Sequence, residues 1–159
     1  MTNEDDKRRL AIKADKLIRK YALSSGVFGY APFPVLDGLG IMVVQRTMLK
    51  QLAKNYKVSY SRSLAKDLLN TLVGGVVSRA AMPIALKMIP GVGVLLGSTG
   101  MAAIGSASTF AVGKVFKQHF ERGGTMKNFD AKQNKKTYEA ELNARLKLLQ
   151  AREKGKPKK

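Results

Sequence analysis

An all-α fold is predicted by three observations: apolar residues recurring at three- and four-residue spacing along most of the chain, proline confined to a few punctuation points, and a run from Met88 to Gly113 with no Asp, Glu, Lys or Arg. That uncharged run is 26 residues long in a 159-residue chain of net charge +18. At about 1.5 Å per residue a helix of that length is enough to cross a bilayer. The architecture expected is two helical hairpins with glycine- and alanine-rich packing, preceded by an amphipathic N-terminal helix and followed by a basic C-terminal helix.

Residues 1–21 are predicted as the N-terminal helix. Thr2 or Asn3 can cap it, Glu4, Asp5 and Asp6 suit the positive end of its dipole, and Leu10, Ala14, Leu17, Ile18 and Tyr21 share a face. The helical-hairpin region is placed at 22–124. Its first hairpin turns at Ala31-Pro32-Phe33-Pro34 and continues from Asp37 as N-cap, with Met42, Gln45, Leu49, Leu52, Ala53 and Tyr56 as the inward stripe. A buried carboxylate is the alternative role for Asp37. A third helix opens near Ser61 or Ser63, carries Leu64, Leu68, Leu72 and Val76, and bends or ends at Pro83. The second turn is Lys87-Met88-Ile89-Pro90-Gly91, and Arg79 and Lys87 there favour a shallow or re-entrant hairpin. A fourth helix, Val92 to Phe120, is stopped by Gly123-Gly124. The remainder, 125–159, holds a helix from Asn128 with Tyr138, Leu142, Leu146 and Leu149 on one side, then a disordered Lys-rich tail.

Composition removes several chemistries. With no cysteine and the single histidine His119, thiolate metal sites, disulfides and triad chemistry lack their residues. No metal, cofactor or catalytic residue is assigned. Gly91-Val92-Gly93-Val94-Leu95-Leu96-Gly97 departs from the dinucleotide fingerprint, because its third glycine is one residue late and no strand precedes it. Ala111-Val112-Gly113-Lys114-Val115 lacks the first glycine and the hydroxyl of a P-loop. The small residues Gly93, Gly97, Gly100, Ala103, Gly105, Ala107 and Ala111 are assigned to close helix packing, in lipid or in a tight bundle.

Charge is distributed by segment. Residues 1–20 hold seven basic and four acidic side chains, 46–67 six and one, and 114–159 fourteen and five. The apolar regions are bracketed by cations, which the positive-inside tendency would keep cytoplasmic, together with both ends of the chain. The acidic N-terminal residues are unlike a signal or transit peptide. Lys132, Lys135, Lys136, Arg145, Lys147, Arg152 and Lys154 are candidates to bind anionic membrane lipid or a protein partner. The pI near 10.3 also fits nucleic acid, the rival partner, although no recognition motif accompanies it. A small membrane-permeabilising protein is a further alternative.

Between about Ala14 and Gly124 the chain resembles the bacterial domain of unknown function 697 family, also called YcjF-like. The segments that carry the likeness are Ala31-Pro32-Phe33-Pro34-Val35-Leu36-Asp37, Gln45-Arg46-Thr47-Met48-Leu49, Leu52-Ala53-Lys54-Asn55-Tyr56, Lys87-Met88-Ile89-Pro90-Gly91-Val92-Gly93 and Ser108-Thr109-Phe110-Ala111-Val112-Gly113-Lys114, in that order. The resemblance implies an all-helical, membrane-associated module that works with a GTPase. This chain has no GTPase domain, so such a partner would act in trans. The expected function is therefore a non-enzymatic adaptor or scaffold at the bacterial inner membrane, able to self-associate through its small-residue hairpin. The extension beyond Gly124 would serve recruitment.

Overall fold

A computed structural model describes residues 3–28, 34–76 and 94–154, with side-chain surroundings for 3–26, 40–76 and 102–152. The described residues form five helices and no strand: α1 (Asn3–Phe28), α2 (Pro34–Asn55), α3 (Arg62–Val73), α4 (Val94–Glu121) and α5 (Lys135–Lys154). The all-α expectation holds. The turn at Ala31 to Phe33, the bend at Pro83, the turn at Lys87 to Gly91, the residues Arg79 and Gly93, and the tail from Gly155 lie outside the described residues.

α1 continues seven residues past Tyr21 because its buried face does not stop there. Ala14, Ile18, Ala22 and Ser25 form one line of contact at helical spacing. Ser24 and Ser25 donate back to Lys20 O and Tyr21 O at 3.1 Å, which lets two serines sit inside a helix. α2 begins at Pro34, where the missing N–H costs nothing. Asp37 therefore lies within the helix rather than at its N-cap. The predicted inward stripe holds for Gln45, Leu49, Leu52 and Ala53, joined by Met48 and Val44. Lys57 closes α2 in the left-handed region (φ 57°), and the Val58 N–H returns to Ala53 O at 2.8 Å.

Ser61 caps α3 by accepting the Leu64 N–H at 3.4 Å. The helix ends at Val73, ten residues before Pro83, because Gly74 turns the chain out and Gly75 follows at φ 75°. α4 matches its predicted extent within two residues and ends as expected at Gly123, φ 82°. Gly124 has a second reason to be glycine: a Cβ there would collide with the His119 ring. The last helix starts at Lys135 rather than Asn128. Asp130 accepts the Lys132 and Gln133 N–H groups at 2.9 and 3.0 Å, and these local turns occupy the backbone that a longer helix would need.

α4 is the central element. It runs antiparallel to α1, with Ser25 beside Thr109, Ile18 beside Gly113 and Asp15 beside Lys117. It runs parallel to α2, with Gln45 beside Ser108 and Tyr56 beside Glu121. α3 and α5 close the remaining sides, and Tyr138, Phe116, Ile18, Met48, Leu49, Leu52, Leu69 and Leu72 fill the interior. The sequence separates residues 125–159 from the hairpins; in the folded chain Met126, Phe129, Tyr138 and Leu142 belong to the common core.

Candidate functional site

The helix directions turn a pattern in sequence into a pattern in space. α1 beyond Lys20, α2 before Arg46 and α4 before Lys114 all lie at one end of the bundle, and their only charged residue is Asp37. The opposite end carries the charged parts of the same three helices. Leu23 and Val43, exposed large apolar side chains, lie on the uncharged end at 69% and 51% exposure. Among the described residues no helix is long and apolar enough to cross a membrane. The Met88 to Gly113 run, long enough by its sequence to cross a bilayer, lies partly outside the described residues, and from Ala102 onward its residues are mostly buried against α1, α2 and α5.

The small residues of that run divide accordingly. Ala107 and Ala111 are fully buried and Ala103 is half-buried. At Gly105 a Cβ would lie 3.0 Å from Ile41 Cδ1 and 3.2 Å from Ser25 O, so this glycine admits both neighbouring helices. Gly113 is the tightest case of helix against helix, since a Cβ would come within 2.7 Å of Ile18 Cγ1; its sequence surroundings point to no packing role. Gly97 and Gly100 are on the α4 backbone, and their surroundings lie outside the described residues.

Where the uncharged half meets the charged half, a buried polar network joins four helices. Ser25 Oγ and Thr109 Oγ1 are 2.7 Å apart. Gln45 Nε2 donates to Ser108 Oγ at 3.0 Å and to Thr109 Oγ1 at 3.4 Å, and Ser108 Oγ lies 2.8 Å from the Tyr138 hydroxyl. Burial pushes the Tyr138 phenol up to about 12, partly offset by its hydrogen bond with Ser108. Just over two turns further along α4, Lys117 is 7% exposed and pairs with Asp15 at 2.8 Å and Glu121 at 3.7 Å, while Tyr56 donates to Glu121 at 3.0 Å. Each of these groups gives its neighbour the partner that burial demands. Among the described residues these contacts tie α1, α2, α4 and α5 together. His119 is half-buried, with Nε2 at 2.9 Å from Thr125 O and 3.0 Å from Asn128 Oδ1, and it fixes the loop after α4. At the charged end Tyr56, Tyr60, Phe120, Met126 and Lys127 line a cleft of about 540 Å³ between the loops following α2 and α4.

The candidate cations are not equivalent. Lys132, Lys136, Lys147 and Arg152 are exposed, Lys135 and Arg145 are half-buried, and the side chain of Lys154 lies outside the described residues. Arg145 stands apart. Its guanidinium carbon lies 4.5 Å from the centre of the Phe110 ring, and its Nε is buried with no hydrogen-bond acceptor. Burial, then the nearby Arg152 and Arg19 guanidinium groups, lowers its pKa. Tyr138 and Arg145 are two turns apart on α5, yet both meet the short stretch Ser108 to Phe110. α5 therefore lies across α4 at the level where the charge begins.

The sequence matches the family profile described as domain of unknown function (DUF697) over residues 4–144. That match extends past Gly124, where the resemblance read from the sequence ended, and takes in Tyr138 and Leu142 of the core. Magnetosome membrane protein 22 of Magnetospirillum gryphiswaldense is 34% identical over 122 residues, covering 74% of this chain and 63% of that protein. The chain thus spans less than two thirds of the length of this curated relative. No solved structure matches the chain. The match over residues 4–144 settles its family: the chain belongs to domain of unknown function family 697.

Proposed function

We propose that this chain is a non-enzymatic, membrane-associated scaffold that sets the uncharged end of its bundle against a bilayer and presents its charged end to a partner in the cytoplasm. The observation that carries the reading is the axial separation of charge: three helices contribute uncharged segments to one end and charged segments to the other. Exposed Leu23 and Val43 on the uncharged end are the side chains such a contact would cover. The relative named as a magnetosome membrane protein adds support from a different direction. Basic residues beside an anionic leaflet each add roughly 1 kcal/mol, and Arg145 on α5 lies over Phe110, in the uncharged segment of α4.

On this reading the bacterial inner membrane is the location, and the polar network and the Lys117 cluster hold the fold rather than perform a reaction. The resemblance to GTPase-linked members supports a GTPase acting in trans as the partner class. Exposed Lys132, Lys136 and Lys147 and the cleft between Tyr56 and Met126 are the surfaces it would use. Fractionation of the tagged protein tests the reading. Membranes are washed with high salt and then with alkaline carbonate. Retention through salt supports insertion of the apolar end, whereas a pool that stays in the supernatant before any wash refutes membrane association. Binding of DNA with a steep salt dependence and no membrane pool would instead favour nucleic acid.

A further inference from the structure

We infer that the cleft between the loops following α2 and α4 is a docking site for an acidic segment of a partner protein, one that seats an apolar side chain in the cleft and meets Lys57 and Lys127 with its carboxylates. The inference rests on the proposed recruitment by the charged end and gives it a ligand chemistry.

The cleft has the size and the order of a binding site. Its volume of about 540 Å³ falls within the range of about 300–1,000 Å³ usual for ligand pockets. Tyr56, Val58, Tyr60 and Leu64 pack against the core yet remain half-buried, so they give the cleft an apolar floor. Its walls are set before any ligand arrives: the Val58 N–H returns to Ala53 O at 2.8 Å, the Thr125 N–H donates to Asn128 Oδ1 at 2.7 Å, and Thr125 O lies 2.9 Å from His119 Nε2. A second, more open hollow of about 390 Å³ shares Lys127 and reaches Leu68, Thr71 and Lys132, which leaves room for an extended segment rather than a single side chain. Charge selects the occupant. Lys57 and Lys127 are the charged residues lining the cleft, both are exposed, and neither makes an ion pair with a described carboxylate. Glu121, which follows Phe120 of the lining, is already engaged by Tyr56 and Lys117. Lys57 adds an independent sign. It is the one described non-glycine residue at positive φ, in a helix-ending position where glycine is the usual residue. A lysine there carries a backbone strain that glycine would avoid, and what it supplies is a cation at the cleft. An apolar floor between two free cations is complementary to an apolar side chain flanked by acids.

The test pans a random peptide library displayed on phage against the full chain at physiological salt, then titrates the enriched peptides, carrying a fluorophore, by polarisation. Enriched sequences are expected to hold acids on both sides of an apolar residue. Changing that residue to serine, or the acids to their amides, should weaken binding about tenfold or more. Lys57→Gly and Lys127→Ala should each weaken it about threefold to fivefold, the effect of one exposed ion pair. Lys57→Gly should at the same time raise the urea midpoint, because glycine accepts the left-handed conformation, so its loss of binding does not come from unfolding. Lys147→Ala removes the same charge from an exposed site on α5 and should weaken binding less than about twofold. Equal losses for Lys57→Gly, Lys127→Ala and Lys147→Ala overturn the cleft, as does a lack of acidic sequences among the enriched peptides. Polyglutamate that binds as tightly as those peptides leaves only diffuse attraction and overturns it too. Binding that survives Lys57→Gly and Lys127→Ala together, but is lost on reversing Lys132, Lys136 and Lys147, overturns the cleft while keeping recruitment by the charged end. Binding that none of these changes weakens overturns both.

Discussion

The tight contact between α1 and α4 at Gly113 makes a prediction whose sign depends on a second residue. An alanine at position 113 would place its methyl group 2.7 Å from Ile18 Cγ1, 2.9 Å from Cγ2 and 3.2 Å from Cδ1. Ile18 is 1% exposed and has no solvent side to withdraw to. Overpacking of this kind costs about 1–3 kcal/mol. Replacing a mid-helix glycine by alanine returns about 1 kcal/mol of helix propensity. Gly113→Ala should therefore destabilise the wild-type chain by up to about 2 kcal/mol. In an Ile18→Ala background all three obstructing atoms are gone, although that change itself costs about 2–5 kcal/mol. Gly113→Ala should there become stabilising by about 1 kcal/mol. Ile18→Val deletes only Cδ1 and leaves the two nearer carbons, so it should not reverse the sign. Urea unfolding followed by far-ultraviolet circular dichroism, on the wild type, the single variants and the doubles, measures the coupling. A coupling energy between Gly113→Ala and Ile18→Ala below about 0.5 kcal/mol would refute the α1–α4 register that sets Ile18 against Gly113.

Gln45→Leu removes the amide that donates to Ser108 and Thr109, and urea unfolding should show a loss of about 1–3 kcal/mol. Tyr138 gives the fold an alkaline limit. Below pH 10 its phenol is protonated in both folded and unfolded chains, but from pH 10 to about 12 only the unfolded chain ionises, so its share of the stability should fall by about 1.4 kcal/mol per pH unit, on top of the decline from Tyr56 and Tyr60, which burial also raises. Tyr138→Phe should lose its hydrogen bond to Ser108 at neutral pH yet make that alkaline decline shallower than in the wild type, read from denaturant midpoints across the range. Removing residues 125–159 should destroy the helical transition of the whole chain rather than abolish recruitment alone, since it takes Phe129, Tyr138 and Leu142 out of the core. Reversing the exposed charges at Lys132, Lys136 and Lys147 should keep the unfolding curve and reduce capture of a purified GTPase partner; undiminished capture would remove these lysines from the proposed recruitment surface.

Local rules made most of the helices legible. Ser61 before an apolar periodic run, acids in the first turn of α1, and glycine after Arg122 each act within a few residues, so the sequence carries them directly. Asp37 misled because an aspartate beside a proline turn is a good cap in isolation, while Pro34 had already supplied a suitable start. The network of Ser25, Gln45, Ser108, Thr109 and Tyr138 was hidden for a different reason. Hydroxyls on α4 can bond to their own helix or across to another, and the partners here are 63 and 84 residues away in sequence. The same applies to Lys117, an unexceptional basic residue in the sequence whose burial is set by Asp15 on α1. Gly113 reads as part of a poor P-loop until Ile18 is seen against it.

The uncharged end and the buried polar network are physically connected. In water, the difference between apolar interior and polar surface decides which helix face turns inward. Along the uncharged segments of α1 and α2 that difference is small, because exposed Leu23 and Val43 are as apolar as the side chains behind them. If that end meets lipid, burial gives still less discrimination between faces. Helix rotation must then be set by contacts that only one arrangement satisfies. Gly105 and Gly113 admit their neighbours at single points, and turning α4 by one residue would replace those glycines with Ser106 or Lys114. The same turn would separate Ser108 from Tyr138 and Thr109 from Ser25, leaving hydroxyls buried without partners at about 1–3 kcal/mol each. Packing glycines and paired hydroxyls thus specify the register where hydrophobicity cannot. The Lys117 cluster and the large aromatic core take over that role at the charged end, where inside and outside differ in the ordinary way.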